Sequence, residues 1–486
     1  MLLKRDPADP ASAEEALLTA ITVAKQQGAR SFQLRAALAL AKLYQSTARL
    51  AEAHGVLAPA LEGFAPTPEM PEIVEAQALL TALDKTGEVK DAAASRLRRL
   101  QLQTSYSQAV MWSRGYGSDE AKAAFAHAQE LATGVDNAAG RFDAYYGLFI
   151  GSLVRGELRS ARETAEKFVR EAEKEERITE AGAARRTLGV ACLLQGDLAV
   201  ARAHFEQALW LFDPKRDREA KFRFGPDVGA AATGYLAVTN WLLGEAGPAR
   251  KLMEESISRA IESAHAPTLA NAYWVKAVFD AFRDDAEAGR RAAESLLGVS
   301  RGHGLGLYLA SGALFSSWAH GRLGDRVIGT AQLRKALTAY ADQGNKMVAP
   351  FFQGRLAEFG EERGAEGPLA RIDEALALAR QTGERWTDAF LHRIRADILL
   401  KADPTNPVRA EEGYRTAIAI AREQGARTLG LQAALRLTNL HQSTGRAAEA
   451  HDILAPALEG FSPTAELPEI AEAQALLEQA SNSSVG

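Results

Sequence analysis

The stretch TLGVACLLQGDLAVARAHFEQALWLFDP, residues 187–214, decides the architecture. Leu188 and Gly189 sit on a first helix, and Gly196 closes it, as glycine does beyond a helix C-terminus. Asp197 stands where the next helix would be capped. Ala201, Phe205 and Ala208 then follow at spacings of four and three, one face of a second helix. Pro214 forbids further helix. Small residues are needed where two helices cross closely and bulky ones where they leave a gap, so the segment reads as a tight antiparallel hairpin.

This small-and-large alternation resembles the tetratricopeptide repeat nearly position for position, and it recurs along the chain. Leu148, Gly156 and Ala161 form one unit. Leu236, Gly244, Ala249 and Met253 form another, and Tyr273, Ala288 and Ala292 a third. Trp318, Gly324, Gly329 and Leu333 follow, then a ragged unit around Gly364, and Leu437, Gly445, Ala450 and Leu454 close the series. Ala121, Phe125 and Ala128 mark the second helix of an earlier hairpin. Repeats of this kind cannot bury their apolar faces alone and stack into a solenoid. The expectation is an all-α, tetratricopeptide-like right-handed superhelix with a concave inner face.

A second self-similarity is closer. Residues 3–80 align with 400–477 without a gap, and about 50 of the 78 positions are identical. QGAR (27–30 and 424–427), AEAH (51–54 and 448–451) and LAPALEGF (57–64 and 454–461) carry it. The expected organisation is a truncated module over 1–84, a linker over 85–97, a central array over 98–395, a C-terminal module over 396–480 and a disordered tail over 481–486. The first module begins inside what its copy uses as a helix. An apolar face near Leu17, Ile21 and Ala24 is therefore expected to lie exposed and to be covered by self-association or by another protein.

Composition narrows the function. The 486 residues are 47% hydrophobic with a formal net charge of −5, so the chain has neither the composition of a disordered protein nor the basic balance of a general nucleic-acid binder. The N-terminus, MLLKRDPADP, has too short an apolar run for a signal peptide, and no stretch approaches a membrane span. The lone Cys192 can form neither an internal disulfide nor a cysteine zinc site. The default is a cytoplasmic protein with no nucleic acid or membrane partner.

No catalytic, metal or cofactor residues can be nominated. The nine histidines show no HExxH or paired spacing. His54 and His451 are copies of one helical position, structural or solvent-facing. Cys192 sits at a packing position. RGHGLGLYL (301–309) follows a helix, not a strand, and reads as a turn. The charge run 159–177 reads as a solvated helix face. The partner is expected to be a protein or peptide bound in the inner groove by Tyr146, Ile150, Arg186, Val190, Val238, Trp241, Tyr273 and Trp318, where buried aromatic anchors would dominate affinity. The irregular insert 213–230, with Phe222, Arg223 and Asp227, is a second candidate surface.

Residues 98–478 also resemble the repeat-rich C-terminal half of bacterial predicted ATPases, often fused to class III adenylate/guanylate cyclase domains. The stretches that carry this are SRGYGSDEAKAAFAHAQEL (113–131), LVRGELRSARE (153–163), LGVACLLQGDLAVARAHFEQAL (188–209), RFGPDVG (223–229), QTGERWTDAFLHRIRADILL (381–400) and the terminal LAPALEGF module. No GxxxxGK[ST] loop or cyclase aspartate pair occurs, so the resemblance implies a sensor or scaffold role without the catalytic domains. Two functions follow as expectations: a non-catalytic interaction scaffold or sensor, or a small-ligand-sensing regulator of a separate ATPase or cyclase.

Overall fold

A computed structural model describes residues 10–47, 49–64, 70–85, 92–132, 138–360, 366–446, 449–461 and 467–483. Every regular element among them is helical. The order is α1 (Pro10–Gln26), α2 (Arg30–Ser46), α3 (Leu50–Leu61), α4 (Pro71–Lys85), α5 (Ala92–Arg114), α6 (Asp119–Ala132), α7 (Ala138–Val154), α8 (Leu158–Lys174), α9 (Ile178–Leu194), α10 (Leu198–Leu211), α11 (Val228–Leu242) and α12 (Ala246–Glu262). It continues with α13 (Ala266–Phe282), α14 (Ala286–His303), α15 (Gly306–Leu323), α16 (Arg326–Asp342), α17 (Ala349–Phe359), α18 (Glu366–Thr382), α19 (Asp388–Ala402), α20 (Val408–Gln424), α21 (Arg427–Ser443), α22 (Ala450–Leu458) and α23 (Pro468–Ser483). A 3-10 turn, Ala220–Phe222, lies in the insert after α10. The ragged turn at Gly364, residues 86–91 of the expected linker and 484–486 of the expected tail lie outside the described residues.

The chain divides into two compact units, 1–148 and 149–486. In the first, α1–α4 repeat the architecture of α20–α23, as the internal copy demands. Arg30 lies over the Phe64 ring at 4.9 Å, and Arg427 lies over Phe461 at 4.5 Å. The Glu14–Arg49 ion pair (2.6 Å) has its counterpart in Glu411–Arg446. The expected exposed face of α1 is corrected here. Ala24 is 5% exposed, and Leu17 and Ile21 pack against the apolar cluster of α2–α4. That cluster covers most of the stripe, and of the large apolar residues of α1 Leu18 and Val23 stay exposed. Leu102 of α5 joins the same cluster.

In the second unit α9/α10, α11/α12, α13/α14, α15/α16, α17/α18, α19/α20 and α21/α22 form successive hairpins. The first helix of each also packs on the first helix of the next, so α9, α11, α13, α15, α17, α19 and α21 line the inside. The small-and-large rule has a direct cause: a Cβ at Gly189 would lie 2.6 Å from the Phe205 ring. Asp227 and Asp285 cap their helices through the Ala230 and Ala288 amides, at 2.9 and 3.0 Å. Asp197 does not cap α10. Its carboxylate is taken by Arg162 of the preceding hairpin, which ties neighbouring units instead.

This unit winds back onto itself. The last carbonyls of an α-helix have no intrahelical donor. Val154 O at the end of α7 accepts from the Lys346 and Met347 amides at 2.8 and 3.2 Å. Leu194 O at the end of α9 accepts from the Arg385 and Trp386 amides at 2.8 and 3.2 Å. Trp241 O in the last turn of α11 accepts from the Thr428 hydroxyl. Donor and acceptor are about 190 residues apart each time, five hairpins on, so the second turn of the coil caps the first. Glycine is required at the turns beside this seam. Gly156, Gly196 and Gly244 have φ of +72°, +82° and +93°. Cβ atoms there would lie 2.5 Å from Thr382, 2.6 Å from Gln424 and 2.8 Å from Phe461.

Candidate functional site

The inner face is packed, not open. Arg186, Val190, Val238, Trp241 and Trp318 are all at most 4% exposed, Tyr146 is buried, and only Ile150 and Tyr273 are half-exposed. The expectation of an open inner groove at the buried positions is therefore corrected: the coil's second turn fills the space an open superhelix would leave. Trp241 packs on Phe282 with centroids 6.0 Å apart. Phe282 in turn meets Phe351 at 5.1 Å and Trp386 at 5.0 Å, and Phe351 stacks on Phe390 at 5.0 Å. Arg186 donates to the Phe224 carbonyl at 2.7 Å.

Trp318 joins the same aromatic run through Arg355. That guanidinium lies 5.4 Å from the Trp318 ring centre, 5.3 Å from Phe351 and 4.7 Å from Phe390. It also bonds the Ala281 carbonyl and pairs with Glu358 (2.9 Å) and Asp284 (3.2 Å). Burial opposes ionisation of Glu358, but Arg355, Arg393 and Arg322 outweigh it and hold its pKa at about 2. A buried cation satisfied by carboxylates and ring faces is a fastening of the core.

Glu384 lies on the seam. Its carboxyl accepts from the Trp386 indole (2.8 Å) and from the Val348 amide (3.1 Å). Val348 has φ +60°, a backbone region costly for a β-branched residue. Burial pushes the Glu384 pKa up to about 7 despite those two donors, and Asp388 nearby adds to the rise.

The insert is ordered by its own charges. Arg223 pairs with Glu180 at 3.1 Å and lies over Phe224 at 4.6 Å. Asp227 is the cap of α11. Phe222 is 61% exposed and meets His265 edge-on at 5.3 Å. Burial, with Lys221 beside it, pulls the His265 pKa down to about 4. Cys192 is fully buried, and burial raises its thiol to about 11. Among the described residues no group of three or more His, Cys, Asp or Glu is placed to hold a metal, and no helix is long and apolar enough to cross a membrane.

Cavities of ligand dimensions occur among the described residues. One of about 260 Å³ lies in the first unit between α4, α5 and α6, lined by Gln77, Leu80, Arg99, Leu102, Tyr106 and His127. Another, about 590 Å³, is a groove between the outer helices α20 and α22 with α21 as its floor. Ile418, Leu431, Leu437, Ile453 and Ala457 make it apolar. Arg415 and Arg422 stand on one wall, Asp452 and Glu459 on the other. Sequence reading missed this groove because its residues come from three helices of two hairpins. The available signal was the pair of small residues Ala419 and Gly430, which leave space where bulk would normally pack.

The fold defines the class: an all-α solenoid of tetratricopeptide-type hairpins. A Rap protein crystallised with competence and sporulation factor shares it, with a TM-score of 0.53 at 11% identity over 78% of this chain and 99% of that one. Yeast Tom70 (TM-score 0.33, 13% identity, 98% and 90% of the two chains) and the APC/C hetero-tetramer Cut9–Hcn1 (TM-score 0.34, 11% identity, 96% of each) are more distant in shape. No family model matches the sequence. An uncharacterized protein of Rhizobium meliloti (strain 1021) is 27% identical over 240 residues, which is 49% of this chain. The match spans only 23% of that longer relative.

Proposed function

We propose that the chain is a non-catalytic, cytoplasmic interaction protein whose second unit, a closed coil of helical hairpins, receives a protein or peptide partner on its outer side. The observation that carries this is the 590 Å³ groove of α20–α22, an apolar recess in a scaffold whose inner face is consumed by its own second turn. Of the inner-face candidates, Ile150 and Tyr273 keep enough exposure to touch a partner, and the insert offers Phe222. The resemblance to the repeat region of ATPase and cyclase signalling proteins supports an adaptor or sensor role toward such an enzyme made as a separate chain.

The test is quantitative affinity capture from the native cell with wild type, Ala457→Trp to fill the groove, and Tyr273→Ala on the inner face. The reading expects a specific partner to be lost only with Ala457→Trp. Loss only with Tyr273→Ala would return binding to the inner face. A second reading is a small-ligand sensor, favoured by a groove volume inside the ordinary range of small-molecule sites. Ligand-dependent thermal stabilisation abolished by Ala457→Trp, with partner capture unchanged, would select it.

A further inference from the structure

The geometry points to the α20–α22 groove as the seat of an amphipathic helix of the partner, its apolar stripe flanked by acidic residues on one side and basic residues on the other. The inference rests on the interaction reading above and names the chemistry of the partner.

Three observations carry it. The first is spacing. Arg415 and Arg422 are seven residues apart on α20, and Asp452 on α22 is followed by Glu459 just past the end of that helix. On α20 seven residues are two helical turns, about 10.5 Å, so its two cations lie on one line, and the two acids line the facing wall. The two walls have opposite sign and border an apolar floor. Paired charge rails beside an apolar seam are the arrangement that selects a helix in a groove, as e and g positions do in coiled coils.

The second is availability. All four residues are exposed. Arg422 and Asp452 have no ion-pair partner among the described residues. Arg415 leans on Glu411 of its own helix (2.9 Å). Arg427, the remaining cation of the groove, donates to the Glu459 backbone carbonyl (3.1 Å).

The third is the internal copy. At the positions of Arg415, Arg422, Asp452 and Glu459 the first module has Leu18, Lys25, Gly55 and Glu62, and Gln33 replaces Gly430 on the floor. Ile21, Leu34, Leu40, Pro59 and Ala60 keep the apolar lining, and α1–α3 form the same helices. The module therefore folds without Arg415 and Asp452. The complete rails serve something other than the fold.

The experiment uses the full chain and fluorescein-labelled helical peptides of roughly 16 residues, all with the same Leu stripe. One is flanked by Glu on one side and Lys on the other, one by Lys on both sides and one by Glu on both. Anisotropy titration is expected to favour the Glu/Lys peptide by about tenfold at low salt, with the advantage shrinking as salt rises. Arg415→Glu plus Arg422→Glu makes both walls acidic and should transfer the preference to the all-Lys peptide. An unchanged thermal midpoint is the check on folding. Equal binding of the three peptides, or binding of none, overturns the proposal. So does a naphthalenesulfonate dye that enters wild type but not Ala457→Trp and is displaced by no peptide, which would assign the groove to small apolar ligands. A wild-type dimer dissolved by Ala457→Trp would assign it to a second copy. If the peptides fail while Ala457→Trp still loses a captured partner, the interaction reading stands and only this inference falls.

Discussion

Gly196→Ala tests the closure of the coil. The substitution places a Cβ on a residue at φ +82°, which alone costs about 1–2 kcal/mol. It also places that Cβ 2.6 Å from Gln424 Nε2. Gln424 is buried and donates to the Arg385 carbonyl at 2.9 Å, so it must surrender that bond, and a buried pair left unsatisfied costs about 1–3 kcal/mol more. Gly445→Ala is the matched control: its φ is +76°, but nothing lies within 4 Å of its Cβ. The two variants should differ by about 2 kcal/mol, or roughly thirtyfold in the local opening constant. Hydrogen exchange reads this directly, because the Arg385 and Trp386 amides donate to Leu194 across the seam. Their exchange should accelerate about thirtyfold in Gly196→Ala and hardly at all in Gly445→Ala. Gln424→Ala makes room for the new methyl, so the double variant should lose less than the sum of the single ones. Equal urea midpoints for the two alanine variants, with unchanged exchange at 385 and 386, would refute a seam held by close approach.

The Glu384 carboxyl titrates near pH 7 in the fold, against about 4.5 as its ordinary value. The folded chain therefore holds a proton the unfolded chain has lost between these limits, and stability falls as pH rises from about 4.5 to about 7. Glu384→Gln should flatten that slope, read by urea unfolding across pH, and should be less stable than wild type at pH 4.5 and below, because its amide nitrogen cannot accept from Trp386 or Val348. Arg355→Met should cost about 1–3 kcal/mol by the same measurement, because Glu358 and the buried Ala281 carbonyl lose the guanidinium that donates to them. Cys192 should resist iodoacetamide in the native chain and react on unfolding, followed by mass spectrometry, since its thiol is both buried and raised to about 11.

Hairpin architecture was readable because its determinants are local. Gly189 against Phe205, and the turn glycines at 156, 196 and 244, lie within one repeat, and sequence spacing reports them. The seam was not readable because each contact joins residues about 190 apart, and no periodicity within a repeat specifies how tightly repeats wind. One trace of it exists. Gly-x-Lys/Arg recurs at 344–346, 383–385 and 425–427, just ahead of the inner helices that close on the first turn. Trp241 and Trp318, expected to face a partner in the groove, lie on the inner helices but are buried. Whether such a ring faces a partner or the chain's own second turn depends on the pitch. The same limit explains α1: its stripe of Leu17, Ile21 and Ala24 is real, but the sequence does not reveal that the cluster of α2–α4 covers it.

Closure also determines what kind of binder this fold can be. In an open superhelix the inner helices keep surface for a ligand, and the pitch can change when one binds. Here the terminal carbonyls of α7, α9 and α11 are already capped, and Phe282 is enclosed by Trp241, Phe351 and Trp386. Admitting a peptide inside would break those bonds and expose aromatic surface, a cost of several kcal/mol before any new contact forms. The groove between α20 and α22 exists before a partner arrives and needs no such opening. A preformed recess on a stiff support loses little conformational freedom on binding, so even a short helix could gain useful affinity there.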